Sequence, residues 1–124
     1  MKIAVMGCGT VGSGVVEIID AQKELMVKST GEEIEVKYIL DIRDFTGSPL
    51  ASRIIKDIDI IVNDDEIKTV VETMGGVEPA FTFCKKCLEK GKNVVTSNKA
   101  LVAAKAEELF AVAKENNAAF MFEA

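Results

Sequence analysis

The chain has 124 residues, a length that suits one domain, and at that size folding buries roughly two-thirds of the surface that the unfolded chain exposes. Its composition, 48% hydrophobic and 28% charged, is ordinary for a soluble globular protein. No run approaches the ~18 apolar residues of a membrane span, the opening MKIAVMGCGTVGSG does not read as a signal peptide, and 15 basic against 20 acidic residues (net −5) argue against a nucleic-acid-binding face. Three cysteines without a secretion signal point to reduced thiols in a cytoplasmic protein. The absence of histidine excludes a Ser-His-Asp triad, a Cys-His pair and a His-ligated metal.

In chain order, Lys2–Met6 is a continuous apolar run of strand length, closed by Gly7. Apolar residues recur at helical spacing over Val11–Lys28, followed by a loop at Ser29–Gly31. Ile34, Val36, Tyr38, Leu40 and Ile42 recur at period two, with Glu35 and Lys37 opposite, and predict a second strand over Ile34–Ile42. Asp44–Pro49 reads as a connector, Ile54–Asn63 as a short strand around Ile58–Val62, and Thr69–Thr73 as a better strand. Gly75-Gly76 breaks the chain. Glu78-Pro79 suits a helix start, and that helix runs to about Lys90 and stops at Gly91. Asn93–Thr96 is a strand, Ser97 or Asn98 an N-cap for a helix through about Glu115, and Ala118–Phe122 a last strand. Cys84 and Cys87 form a C-x-x-C inside a helix and read as plain helix residues, one of them partly buried. Six apolar strands alternating with helices predict a doubly wound, Rossmann-type α/β fold: a mostly parallel sheet, the first strand central, with helices on both faces.

Gly7-Cys8-Gly9-Thr10-Val11-Gly12 is a G-x-G-x-x-G between the first strand and the first helix, the context this motif needs. Gly7 permits the tight turn, Gly9 lets a pyrophosphate approach the backbone, and Gly12 lets the helix pack on the strand. The amides of Gly9, Thr10, Val11 and Gly12 then face the phosphates. An acid is expected near the end of strand two. There Asp41 or Asp44 suits the ribose hydroxyls of NAD, and Arg43 equally suits the 2′-phosphate of NADP.

Three further segments carry a more specific signature: Val70–Pro79 (VVETMGGVEP), Gly91–Val102 (GKNVVTSNKALV) and the terminal Phe122-Glu123-Ala124. Together with GCGTVGSGVV they resemble the N-terminal domain of homoserine dehydrogenase over the whole chain. The resemblance implies NAD(P)-dependent interconversion of L-homoserine and L-aspartate 4-semialdehyde, on the route to threonine, methionine and isoleucine. It implies that the Gly7–Gly12 turn holds the pyrophosphate and that Arg43 reads the adenosine phosphate. Thr73, Met74 and Gly75 should face the cofactor, with Thr96, Ser97 and Asn98 on the nicotinamide side. Lys99 matches the lysine at the reacting centre, where a cation in the first turn of a helix opposes the helix dipole and so calls for a reason. Glu123 matches the first residue of a monovalent-cation loop, which is cut after its second residue.

On this resemblance residues 1–124 are a truncated dinucleotide-binding domain without the substrate and dimerisation domain. The expected partners are a small-molecule substrate and further copies of the chain, with no nucleic acid and no membrane, and the isolated chain should be inactive. Two other readings stay open: a nucleotide-sensing or regulatory module without chemistry, and an aspartate-dehydrogenase-like enzyme. Lys99 argues against the first and TSNKALVA against the second.

Overall fold

The computed structural model describes residues 1–21, 34–43, 45 and 47–122. The helix end expected up to Lys28, the Ser29–Gly31 loop, Asp44 and Glu123 lie outside the described residues. In chain order the elements are β1 (Lys2–Met6), α1 (Thr10–Ala21), β2 (Glu35–Leu40), a 3₁₀ turn (Ala51–Arg53), β3 (Ile54–Ile55), α2 (Ile58–Val62), β4 (Ile67–Glu72), α3 (Ala80–Glu89), β5 (Asn93–Thr96), α4 (Lys99–Glu115) and β6 (Phe120–Phe122). The six strands form one sheet in the order β3-β2-β1-β4-β5-β6, and every pairing is parallel. This is the expected doubly wound architecture, with β1 inside the sheet.

The pleat of β1 divides the core. Ile3 and Val5 pack with Val16 and Ile19 of α1 on one face. Ala4 and Met6 join Ile61 of α2, Cys84 and Leu88 of α3, and Leu101 and Leu109 of α4 on the other. Strands covered on both faces carry unbroken apolar runs, which is why β1 and β5 read so clearly. Cys84 and Cys87 are both fully buried, not one of them partly. Both sit on the α3 face that packs into the core, and burial pushes the Cys87 thiol up to about 12 and the Cys84 thiol up as well. Such thiols are inert core residues.

The expected strand over Ile54–Asn63 is corrected. Only Ile54 and Ile55 are extended, and Ile58–Val62 is helical. The carboxylate of Asp57 accepts the Asp59 amide at 2.9 Å and caps that turn. Ile58, Ile61 and Val62 then face the core at helical spacing, while Ile60 is left exposed. β2 ends at Leu40, before the exposed Ile42. α3 begins just after Pro79, with the Glu78 carboxylate accepting from the Thr82 amide and hydroxyl at 3.0 and 2.8 Å.

Candidate dinucleotide site

The register sets the last residues of the strands side by side. Met6 pairs with Leu40 and with Glu72, Glu72 with Thr96, and Thr96 with Phe122. The segments that follow, 7–9, 41–43, 73–76 and 97–99, therefore emerge along one edge. Three strand spacings separate β2 from β5, about 14 Å, which suits a long two-ended ligand. The carboxyl ends of strands flanking a switch in strand order are where doubly wound sheets bind ligands.

The glycine turn is built as its residue types require. Gly7 has φ +98°, and its amide donates to the Leu40 carbonyl at 2.8 Å. A Cβ on Gly12 would lie 1.8 Å from the Gly7 carbonyl oxygen, so α1 meets β1 with no room for a side chain. A Cβ on Gly9 would meet nothing nearer than Arg43 Nη2 at 3.9 Å, so this position borders open space. Thr10 begins α1 and Val11 is exposed, which places their amides in the first turn of the helix, where backbone donors face an anion.

Asp41, Arg43 and the turn form one unit. Asp41 is buried and accepts from the Cys8 amide at 2.8 Å. It also accepts from Arg43 at three points, the amide at 2.9 Å, Nε at 3.1 Å and Nη2 at 2.7 Å. The Arg43 guanidinium holds the Asp41 carboxyl well below the usual carboxylate range. Both Asp41 oxygens are thus committed within the protein, while the Arg43 side chain remains 60% exposed above Gly9. Lys56 adds a second cation by donating to the Arg43 carbonyl.

A cleft of about 470 Å³ runs from Gly9, Asp41 and Arg43 to Thr73, Met74 and Gly75. Pro79, which the sequence marked as a helix start, and Phe83, which carried no signal there, form part of its wall. The Thr73 hydroxyl donates toward the Met6 and Gly7 carbonyls at 3.0 and 3.1 Å, tying β4 to the glycine turn. A second cavity of about 260 Å³ lies along the same edge between Thr96–Lys99, Val102 and Phe122. Ser97 and Lys99 are exposed there, whereas Thr96 and Asn98 are buried. Asn98 caps α4, its Oδ1 accepting from the Leu101 amide at 3.1 Å. The residue that sequence reasoning missed is Glu72, which is fully buried and accepts from Thr96 Oγ1 at 2.6 Å and the Met74 amide at 2.6 Å.

The family model for the NAD-binding domain of homoserine dehydrogenase matches residues 7–123. The chain belongs to this family. It is 38% identical to the homoserine dehydrogenase of Lactococcus lactis and 38% identical to that of Pseudomonas aeruginosa, in each case over all of this chain. It covers 30% and 29% of those proteins. The crystal structure of Staphylococcus aureus homoserine dehydrogenase at pH 7.0 superposes with a TM-score of 0.90 at 36% identity, over 99% of this chain and 32% of that one. A hyperthermophilic archaeal homoserine dehydrogenase in complex with NADPH superposes with a TM-score of 0.78 at 29% identity, over 98% of this chain and 43% of that one. The chain thus spans about a third of the length of the curated relatives it matches.

Among the described residues no group of three or more Cys, Asp or Glu is placed to hold a metal ion, and no helix is long and apolar enough to cross a membrane.

Proposed function

We propose that this chain is the dinucleotide-binding part of a cytoplasmic, homo-oligomeric homoserine dehydrogenase that interconverts L-homoserine and L-aspartate 4-semialdehyde with NADP(H) or NAD(H). The observation that carries the reading is the cradle at Gly9: a backbone turn with no side chain filling it, at the start of α1 and overhung by the Arg43 guanidinium. The residues fit a dinucleotide. The turn and the α1 amides would hold the pyrophosphate, Arg43 would meet the adenosine end, and Thr73–Gly75 and Ser97–Lys99 would meet the nicotinamide end. A bound nicotinamide supplies or accepts the hydride.

The chain's own contribution to the chemistry centres on Lys99. Reduction of an aldehyde places negative charge on its oxygen, which must be stabilised and protonated. The Lys99 ammonium, at the first position of α4, holds that oxygen and exchanges a proton with it. Substrate orientation is assigned to polypeptide beyond residues 1–124, so the chain alone carries no homoserine oxidation. A monovalent cation near Glu123 belongs to the same proposal, for the longer enzyme.

Calorimetric titration of the chain with NADPH and NADH tests the binding half, and the absence of binding to either would sink it. In an enzyme of the relatives' length beginning with this chain, Lys99→Ala should lower turnover by about a hundredfold or more while cofactor affinity changes far less. Near-normal turnover would leave Lys99 as a surface lysine.

A further inference from the structure

Glu72 has no role in the function so far, yet it is 0% exposed. An apolar side chain would fill such a site without the cost of desolvating a carboxylate, which burial tolerates only when hydrogen bonds replace water. Its hydrogen bonds come from three separate segments. Oε2 accepts the Met74 amide at 2.6 Å, from the turn after β4, and Oε1 accepts the Thr96 hydroxyl at 2.6 Å, from the end of β5. Asn98 Nδ2, at the start of α4, lies 3.5 Å from Oε2 and donates to the Gly76 carbonyl at 2.6 Å. The Thr96 oxygen in turn accepts the Asn98 amide at 2.9 Å, and the Ser97 amide donates to the Glu72 carbonyl at 3.2 Å. One side chain thus joins the turn that borders the larger cleft to the Thr96–Lys99 segment that borders the smaller one.

Resting on the dinucleotide reading above, we propose that Glu72 is a positioning residue that holds Thr96–Asn98, and with them Lys99, in register with the nicotinamide end of the cofactor. The adenosine end is held independently by the glycine turn and the Asp41–Arg43 unit, none of which touches Glu72 through a hydrogen bond.

The link can be kept or removed by substitution. Glu72→Gln keeps it, because the remaining oxygen holds the Met74 amide while the new amide group donates to Thr96 Oγ1 as the hydroxyl turns its proton away. Glu72→Leu removes both acceptors, Thr96→Val removes the link from the other side, and Thr96→Ser keeps it.

The test is calorimetric titration of the 124-residue chain with NADPH and, separately, with adenosine 2′,5′-bisphosphate, which carries only the adenosine end. Glu72→Leu and Thr96→Val should each weaken NADPH binding about fivefold or more, the scale of one lost buried hydrogen bond. Binding of the bisphosphate should stay within about twofold, and Thr96→Ser should match wild type on both ligands. Equal losses on both ligands, or no loss on either, would overturn the proposal. If Glu72→Leu does not melt cooperatively, the Thr96→Val and Thr96→Ser pair decides by the same criteria. Wild type that binds neither ligand would reject the dinucleotide reading itself, and this inference with it.

Discussion

Gly9 and Gly12 stand three positions apart in one turn, and the structure separates what a side chain would do at each. At Gly9 the nearest heavy atom to an added Cβ is the movable Arg43 Nη2 at 3.9 Å, an ordinary contact. Valine there should leave folding within about 1 kcal/mol of wild type, while its methyl groups occupy the space assigned to the pyrophosphate. At Gly12 an added Cβ falls 1.8 Å from the Gly7 carbonyl oxygen and 2.9 Å from Thr73 Oγ1. The carbonyl belongs to a backbone turn and cannot rotate aside, so α1 must retreat from β1 by more than an ångström. Overpacking of this kind costs about 3 kcal/mol at the upper end of its usual range, or roughly 10 °C in melting temperature for a domain of this size. Melting followed by circular dichroism and titration with NADPH read the two effects separately. Gly9→Val should melt with wild type and bind NADPH at least about tenfold more weakly, a loss of about 1.4 kcal/mol. Gly12→Ala should melt about 10 °C lower and lose binding as a consequence of misfolding. Gly9→Val that binds NADPH as tightly as wild type would falsify the assignment of the turn, and Gly12→Ala with an unchanged melt would refute the packing argument.

Arg43→Ala should weaken NADPH binding about tenfold more than NADH binding, because only NADPH carries the 2′-phosphate that a guanidinium pairs with; equal losses would mean that Arg43 does not read it. Asp41 has a folded-state pKa held below its unfolded value by Arg43, so its contribution to stability is complete above the unfolded value, near pH 4, and is lost as pH falls below it. Urea unfolding between pH 6 and pH 2, values chosen to bracket roughly that range, should therefore show a shallower acid loss in Asp41→Asn than in wild type, and parallel curves would contradict the assignment. The exposed faces of Phe110, Met121 and Phe122 surround edge strand β6, with the Phe110 and Phe120 rings 5.3 Å apart, and an open apolar edge favours pairing with a second copy. Light scattering should show self-association that Phe122→Ser reduces, and a monomer at high concentration would count against it.

Local patterns made most of this fold legible. The β1 run, the G-x-G-x-x-G and the Asn98 cap each depend on residues within a few positions of one another, so the sequence displays them directly. Ile54–Asn63 misleads because Ile58 and Ile60 alternate as in a strand while Ile58, Ile61 and Val62 share a helical face. The Asp57 cap and burial against α3 decide for the helix. Asp41 illustrates a different limit. Its position offers it, or Asp44, to the ribose hydroxyls of NAD, and its hydrogen bonds with Cys8, 33 residues away, and with Arg43 engage both of its oxygens in a way that the strand end alone does not display. Glu72 is harder still, since VVETM reads as an apolar strand with one polar residue. Its partners Thr96 and Asn98 lie 24 and 26 residues further on and meet it only because β4 and β5 pair in parallel.

A chain of net charge −5 that receives a polyanionic cofactor must arrange its charges locally, and the two edges of the sheet differ in how they do so. At the amino edge, charges are consumed among themselves. Lys37 pairs with Asp64 at 2.5 Å and Glu66 at 3.1 Å, Lys2 pairs with Glu66, and buried Lys92 spends its ammonium on the Asp64 and Ile67 carbonyls. At the carboxyl edge two acids among the described residues, Asp41 and Glu72, are satisfied within the protein. Asp41 is neutralised by Arg43, and Glu72 lies below the surface with its oxygens occupied. Among the described residues, the exposed side of the Arg43 guanidinium and Lys99 face outward there, beside the starts of α1 and α4. The same parallel topology aligns both helix starts on that edge, so their dipoles add to the cations instead of opposing them. The local field that a phosphate meets is thus set by which edge it approaches, and the net charge of the chain is a poor guide to its ligand.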